Sequence, residues 1–192
     1  MKKASFFIVL GLAVLLLFGC AGGGGPLGGV STKPVDTWFV ELLKKGTDKF
    51  YPSNYFYIEI KVNATNDGYD AKAVNEDGVE LSEIAVTFDF SNDKVNSLKI
   101  KKEDGEYEYI LTGEFHDGDS NPEDLMFGKY TNSKDSNDKG VWFAVRENSS
   151  YLTGVLTGEG DSLEELETVI KGLIETTTGE KSVEIDLSEL MK

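Results

Sequence analysis

Residues 84–100 read IAVTFDFSNDKVNSLKI. Ile84, Val86, Phe88 and Phe90 alternate with Ala85, Thr87 and Asp89, and Leu98 and Ile100 resume the rhythm after Ser91-Asn92-Asp93. A period of two puts the apolar set on one face of a strand, and a short Ser/Asn/Asp cluster between two such runs is turn chemistry. The stretch predicts two antiparallel strands joined by a tight hairpin. Working outward, Phe56, Ile58, Ile60, Val62 and Ala64 alternate in the same way with Tyr57, Glu59, Lys61 and Asn63. The pattern returns in Tyr107, Tyr109, Leu111 and Phe115 and in Val141, Phe143 and Val145, with further turn signals at Asn66-Asp67-Gly68, Asn75-Glu76-Asp77-Gly78 and Glu103-Asp104-Gly105. Connections this short join sequential antiparallel neighbours. The fold class read from them is α+β and mostly β: an antiparallel meander of about seven or eight strands, curved or closed into a barrel.

Helical period is read on either side of the meander. Asp36 can cap a helix running to Lys45 with Gly46 as its stop, because Trp38, Phe39, Leu42 and Leu43 fall at i, i+1, i+4 and i+5. At the other end, Ser162 and Glu165 form a capping box, and Leu163, Leu166, Val169, Ile170, Leu173 and Ile174 draw one apolar stripe that ends at Thr176 to Gly179. Val183, Ile185 and Leu187 then predict a last strand. An antiparallel sheet with one apolar face must cover it. The expected arrangement packs the N-terminal and the C-terminal helix on the sheet, their roughly ten large apolar side chains plugging its curve.

The first twenty residues have a different character. Lys2 and Lys3 precede an uncharged apolar run from Ala4 to Phe18, shorter than the ~20 residues a membrane-spanning helix needs. The run ends in Leu17-Phe18-Gly19-Cys20, which resembles the bacterial lipobox, with Phe18 bulkier than usual at its position. The resemblance implies a lipoprotein precursor cleaved before Cys20, with acyl chains such as palmitate on that cysteine. Cys20 is the sole cysteine, so no intramolecular disulfide can form. Residues 21–29, AGGGGPLGG, are too rich in glycine to bury apolar area and read as a tether. The expected organisation is a signal peptide at 1–19, a lipidated cysteine and tether at 20–35, and one β-rich domain at 36–192.

At the level of fold, the chain resembles three kinds of β-barrel lipoprotein. A helix on a curved sheet resembles the periplasmic lipoprotein carriers. Eight strands followed by one helix and a short strand, as Tyr151 to Leu187 would be, resemble the lipocalins, although Asp36-Thr37 precedes Trp38 where that family has Gly-x. A glycine run after the cysteine, with a strand like Val86-Thr87-Phe88-Asp89-Phe90, resembles surface lipoproteins of the transferrin-binding type. No residue role follows from any of the three.

Removing Lys2 and Lys3 leaves 17 basic side chains against 34 acidic ones, a formal charge of −17. That sign argues against nucleic acid and against docking on anionic headgroups. His116 is the sole histidine, with Glu114, Asp117 and Asp119 nearby. A Ser-His-Asp triad would need it, and no Gly-x-Ser-x-Gly accompanies it. Asp117-Gly118-Asp119-Ser120-Asn121 opens like an EF-hand loop, but Pro122 stands at position 6 and Gly128 at position 12. Asp117, Asp119, Asn121 and His116 are therefore the nearest approach to a metal site, and a solvated strand end is the preferred reading. Asp135-Ser136-Asn137-Asp138-Lys139-Gly140 fails as an EF-hand in its turn, with Lys139 at position 5 and Arg146 at position 12. No cofactor and no catalytic group is read. The expected function is a non-enzymatic binding or interaction lipoprotein of the cell envelope, held by its anchor outside the cytoplasm to meet a protein or envelope partner. The alternative is a carrier holding a lipid or small apolar ligand inside the curved sheet.

Overall fold

The hairpin read from residues 84–100 joins β4 (Ile84–Ser91) to β5 (Lys94–Lys102). Asn92 and Asp93 both take positive φ, 53° and 58°, the conformation of a two-residue type I′ turn whose twist matches the strands it joins. The computed structural model describes residues 29–47, 49–118, 124–152, 160–179 and 184–185. Chain order within it is β1 (Asp36–Lys45), β2 (Lys49–Val62), β3 (Tyr69–Val74), β4, β5, β6 (Glu108–His116), β7 (Leu125–Asn132), β8 (Lys139–Arg146), α1 (Gly160–Thr178) and β9 (Glu184–Ile185). A helical turn at 150–152 precedes α1.

The first eight strands form an antiparallel meander in the order β3-β2-β1-β8-β7-β6-β5-β4, and β9 adds to β2 in parallel. The β1–β8 pairing, from Trp38 opposite Arg146 to Lys44 opposite Gly140, curls the sheet into a nearly closed barrel. Its seam lies between β3 and β4. There the Leu81 amide donates to the Ala73 carbonyl at 2.9 Å, and the Tyr69 ring meets Phe88 and Phe90 at 5.3 and 6.2 Å.

Inward positions of all eight strands form one core: Trp38 and Leu42, Ile58 and Ile60, Phe88 and Phe90, Leu98 and Ile100, Tyr109 and Leu111, Met126 and Tyr130, Trp142 and Ala144 among them. An eight-stranded barrel is just wide enough for such side chains to fill. Trp142 stands opposite Gly128, which stands opposite Gly113, and the indole N–H reaches beyond both to the Thr112 carbonyl at 3.1 Å. A Cβ on Gly128 would lie 1.9 Å from that same carbonyl oxygen, so the close approach of β6 and β7 requires glycine.

A second core lies on the outer face, where Phe39 and Leu43 of β1, Tyr57 of β2, Phe127 of β7 and Phe143 and Val145 of β8 share a cluster with Leu166, Ile170 and Ile174 of α1. The C-terminal helix therefore packs outside the barrel, beginning two residues before the expected Ser162; the Leu163 side chain lies outside the described residues. Gly179 stops it at φ 76°, its amide donating to the Glu175 carbonyl at 2.9 Å.

The expected N-terminal helix is overturned. Asp36–Lys45 is strand β1, at the middle of the sheet between β2 and β8. Trp38, Val40 and Leu42 face inward while Phe39 and Leu43 lie under the outer cluster, so both faces are apolar and the period of two vanishes. The interior is filled by strand side chains instead of helical plugs. Among the described residues, no helix is long and apolar enough to cross a membrane.

Candidate functional site

The barrel has one closed end and one mouth. At the closed end Arg146, 3% exposed, carries the last position of β8 inward. Its Nη2 donates to Asp124 at 2.8 Å and to the Lys33 carbonyl at 2.8 Å, its Nη1 donates to Asp36 at 2.8 Å, and its guanidinium lies 4.5 Å from the Trp38 ring. The Trp38 indole in turn donates to the Pro34 carbonyl at 2.9 Å. The segment entering β1 is thus folded across this end as a lid. Satisfied charges and a stacked guanidinium in a buried setting are structural devices.

Of the sequence-read metal candidates, His116 and Asp117 sit at the same end. His116 ends β6, paired with Leu125. Asp117 accepts from Lys33 Nζ at 3.0 Å, and Lys33 also reaches Asp93 at 3.1 Å. The hydrogen bonds to Asp117 and Asp93 hold the Lys33 ammonium above its usual pKa. His116 and Glu114 line a groove of about 460 Å³ between the end of α1 and β6–β7, with Lys129 in the same wall. Among the described residues no three His, Cys, Asp or Glu side chains gather as metal ligands. Asp119, Asn121 and Cys20 lie outside the described residues.

At the mouth, tyrosines tie the interior off. Asn54 Nδ2 donates to the Tyr109 hydroxyl at 2.7 Å, and the Tyr130 hydroxyl donates to Asp138 at 3.0 Å. Burial, with Asp138 nearby, keeps both phenols protonated well above the usual tyrosine range.

One cleft, of about 490 Å³, opens on the mouth half of the barrel beside β2. Its existence follows from strand lengths. β2 has 14 residues and pairs with β1 from Phe50 to Ile60, but β3 has six and pairs only with Tyr57 to Val62. β9 takes the other end of the same edge, at Lys49 and Phe50. From Tyr51 to Phe56, that edge has no ladder partner among the described residues. The cleft lies where β3 stops along β2 and is walled by Asn54, Tyr55, Phe56 and Tyr57 on β2, Val74 at the end of β3, and Glu76 and Asp77 in the β3–β4 connection. Its deeper wall reaches Ala73, Leu81, Ile84 and Tyr107, which belong to or pack against the inner core. Tyr55 is 51% exposed and Tyr51 39%. No lysine or arginine lines the cleft. Burial first, and then the charge of Glu76, push the Tyr57 phenol up.

None of the cleft residues was read as functional from sequence. The cleft is a product of register, and the one local signal is Pro52, a residue that strands tolerate at edges.

A buried acid lies elsewhere among the described residues. Glu41 is on the outer face of β1 between Phe39 and Leu43, opposite Tyr55 and Phe143, and 1% exposed. Neither carboxyl oxygen has a hydrogen-bond partner. Burial pushes its pKa up to about 9; the nearby Ser53 backbone amide, outside hydrogen-bonding geometry, pulls the other way. It is neutral at physiological pH.

Compared with protein-family models, with curated proteins and with solved structures, the chain matches none.

Proposed function

We propose that the chain is a lipid-anchored lipoprotein of the cell envelope whose barrel serves as a non-enzymatic binding module, with the cleft beside β2 as its contact site. The observation that carries this reading is the state of the barrel interior. Trp38, Trp142, Tyr130, Phe88, Leu98 and Met126 occupy it, Arg146 closes one end, and the Tyr109–Asn54 and Tyr130–Asp138 hydrogen bonds tie the other. Such an interior leaves binding to the surface, where the exposed tyrosines and the cleft lie. Among the three resemblances, a helix outside an eight-strand meander supports the lipocalin-like architecture, with a filled core in place of a chamber.

The carrier reading keeps one observation in its favour: the cleft reaches Ile84, Leu81 and Tyr107 at the rim of the inner core. An environment-sensitive apolar fluorophore separates the two. The binding module predicts no saturable uptake by the folded protein; saturation at one probe per chain would establish the carrier instead. For the anchor, Cys20→Ser is expected to release the protein from the detergent phase on phase partitioning, and retention of that variant would refute the lipoprotein reading.

A further inference from the structure

We propose that the cleft beside β2 binds a small, free organic cation, an alkylammonium whose N-methyl groups meet tyrosine rings while its charge faces Glu76 and Asp77. This rests on the binding-module reading and names its ligand class. At about 490 Å³ the cleft has the size of a small-molecule site.

Its aromatic walls follow from the strand ladder. Successive side chains on a strand point to opposite faces, so Tyr55 and Tyr57 stand on the outer face of β2 and Phe56 on the inner. β3 pairs with β2 only as far as Tyr57, and where β3 stops the cleft meets residues of both faces. The Tyr55 and Tyr57 rings stand edge to face at 6.4 Å, and Phe56 meets Tyr107 at 5.9 Å. An alkylated ammonium is drawn to such rings by their quadrupole.

The β3–β4 connection sets the sign of the ligand. The Asn75 side chain accepts from the Asp77 and Val79 amides at 3.0 and 2.8 Å, and Gly78 turns the chain at φ 75°. That turn holds Glu76 and Asp77 in the wall of the cleft, where the Glu76 charge acts on the Tyr57 phenol. No lysine or arginine lines the cleft to neutralise them, and Lys72 of β3 is taken by Glu59 and Glu80.

Other ligands use less of this wall. A calcium ion wants six or more oxygen ligands and gains nothing from four aromatic rings. A neutral lipid tail leaves both carboxylates unused. A phosphocholine headgroup carries the same ammonium but sets its phosphate against Glu76 and Asp77, so the free cation is the fitting source.

The test titrates the full chain, in uncharged maltoside detergent, with choline and reads amide chemical shifts at residues 54–57 and 75–77. The control is the uncharged analogue of choline in which carbon replaces nitrogen. We expect saturable one-to-one binding of choline with Kd ~1 mM or below, and about tenfold weaker binding of the analogue. The Glu76→Gln, Asp77→Asn double variant should weaken choline about tenfold and leave the analogue unchanged. Tyr55→Leu, at a half-exposed position, removes the ring and should weaken choline several-fold with circular dichroism unchanged. Equal affinity for choline and its analogue would overturn the cation assignment. Indifference to the Glu76 and Asp77 changes, or shifts confined to other parts of the chain, would overturn the site. Phosphocholine binding as tightly as choline would overturn the free cation as ligand. Binding that appears only after deletion of residues 186–192 would give the cleft to the chain's own terminus and overturn the proposal. Absence of choline binding, with no fluorophore uptake, would overturn the proposal and leave the binding-module reading intact. Saturable fluorophore uptake would remove that reading itself.

Discussion

Glu41 makes stability a function of pH in a way that one substitution can isolate. The unfolded chain releases its proton near pH 4.5, while the folded chain holds it to about 9. Between those values the folded state binds one more proton than the unfolded state, so unfolding free energy falls as pH rises, by ~1.4 kcal/mol per unit. At pH 7 the accumulated cost is ~3 kcal/mol, and near pH 9 it approaches ~6 kcal/mol, a large share of an ordinary domain's stability. Below about pH 4.5 both states are protonated and the penalty vanishes. Glu41→Gln keeps the shape and removes the titration; Glu41→Leu also removes the buried polar atoms from between Phe39 and Leu43. Urea unfolding at pH 5, 6, 7 and 8 gives the stability difference between each variant and wild type, in which all other titrating groups cancel. That difference should grow with pH along the stated slope, and Glu41→Leu should exceed wild type by ~3 kcal/mol or more at pH 7. Parallel pH profiles for wild type and Glu41→Gln would refute the reasoning, because they would mean that water or another chain segment solvates the carboxylate.

Other substitutions test the barrel itself. Phe88→Ala empties an inward position of β4 and should cost ~3–5 kcal/mol, while Thr87→Ala, facing water, should cost under ~1 kcal/mol; equal losses on denaturation would mean the register is displaced by one residue. Gly128→Ala sets a methyl group 1.9 Å from the Thr112 carbonyl oxygen and should cost at least ~3 kcal/mol, visible as a lowered urea midpoint, because backbone and not a flexible side chain must move. Arg146→Met strands Asp124 at a buried site and should cost ~3–5 kcal/mol, part of which the double variant with Asp124→Asn restores in a mutant cycle.

What the sequence announces and what it hides follow the burial of each strand. β4 alternates because its outer face is wet, so Thr87 and Asp89 punctuate Phe88 and Phe90. β1, and β7 from Leu125 to Gly128, are covered on both faces, by the inner core and by the outer cluster, and a stretch buried on both faces carries no clear period. Trp38, Phe39, Leu42 and Leu43 then match a helix as well as a strand, and only tertiary pairing with β2 and β8 decides between them. β3 escaped for the opposite reason: Ala71 and Ala73 supply too little apolar contrast to mark an inward face. Glu41 lies within the segment expected to be a helix and is buried because that segment is a central strand. The cleft was illegible because it depends on where β3 stops along β2, which no residue in either strand records.

The polarity of the barrel bears on the choice between binding module and carrier. The chain enters β1 at the closed end, where the Lys33 and Val35 carbonyls bond Arg146, so anything attached upstream leaves from that end. Nine residues from Cys20 to Gly29 span at most ~30 Å when fully extended. The cleft begins near Asn54, opposite Leu42, six residues along β1 and therefore ~20 Å beyond Asp36. With Cys20 acylated as proposed, the tether would join the barrel at its closed end, on the half opposite the cleft. A carrier that draws lipid from its own membrane would have to invert on its leash and bring an acidic surface against the headgroups. The geometry that closes the barrel beside its point of attachment thus favours recognition over extraction.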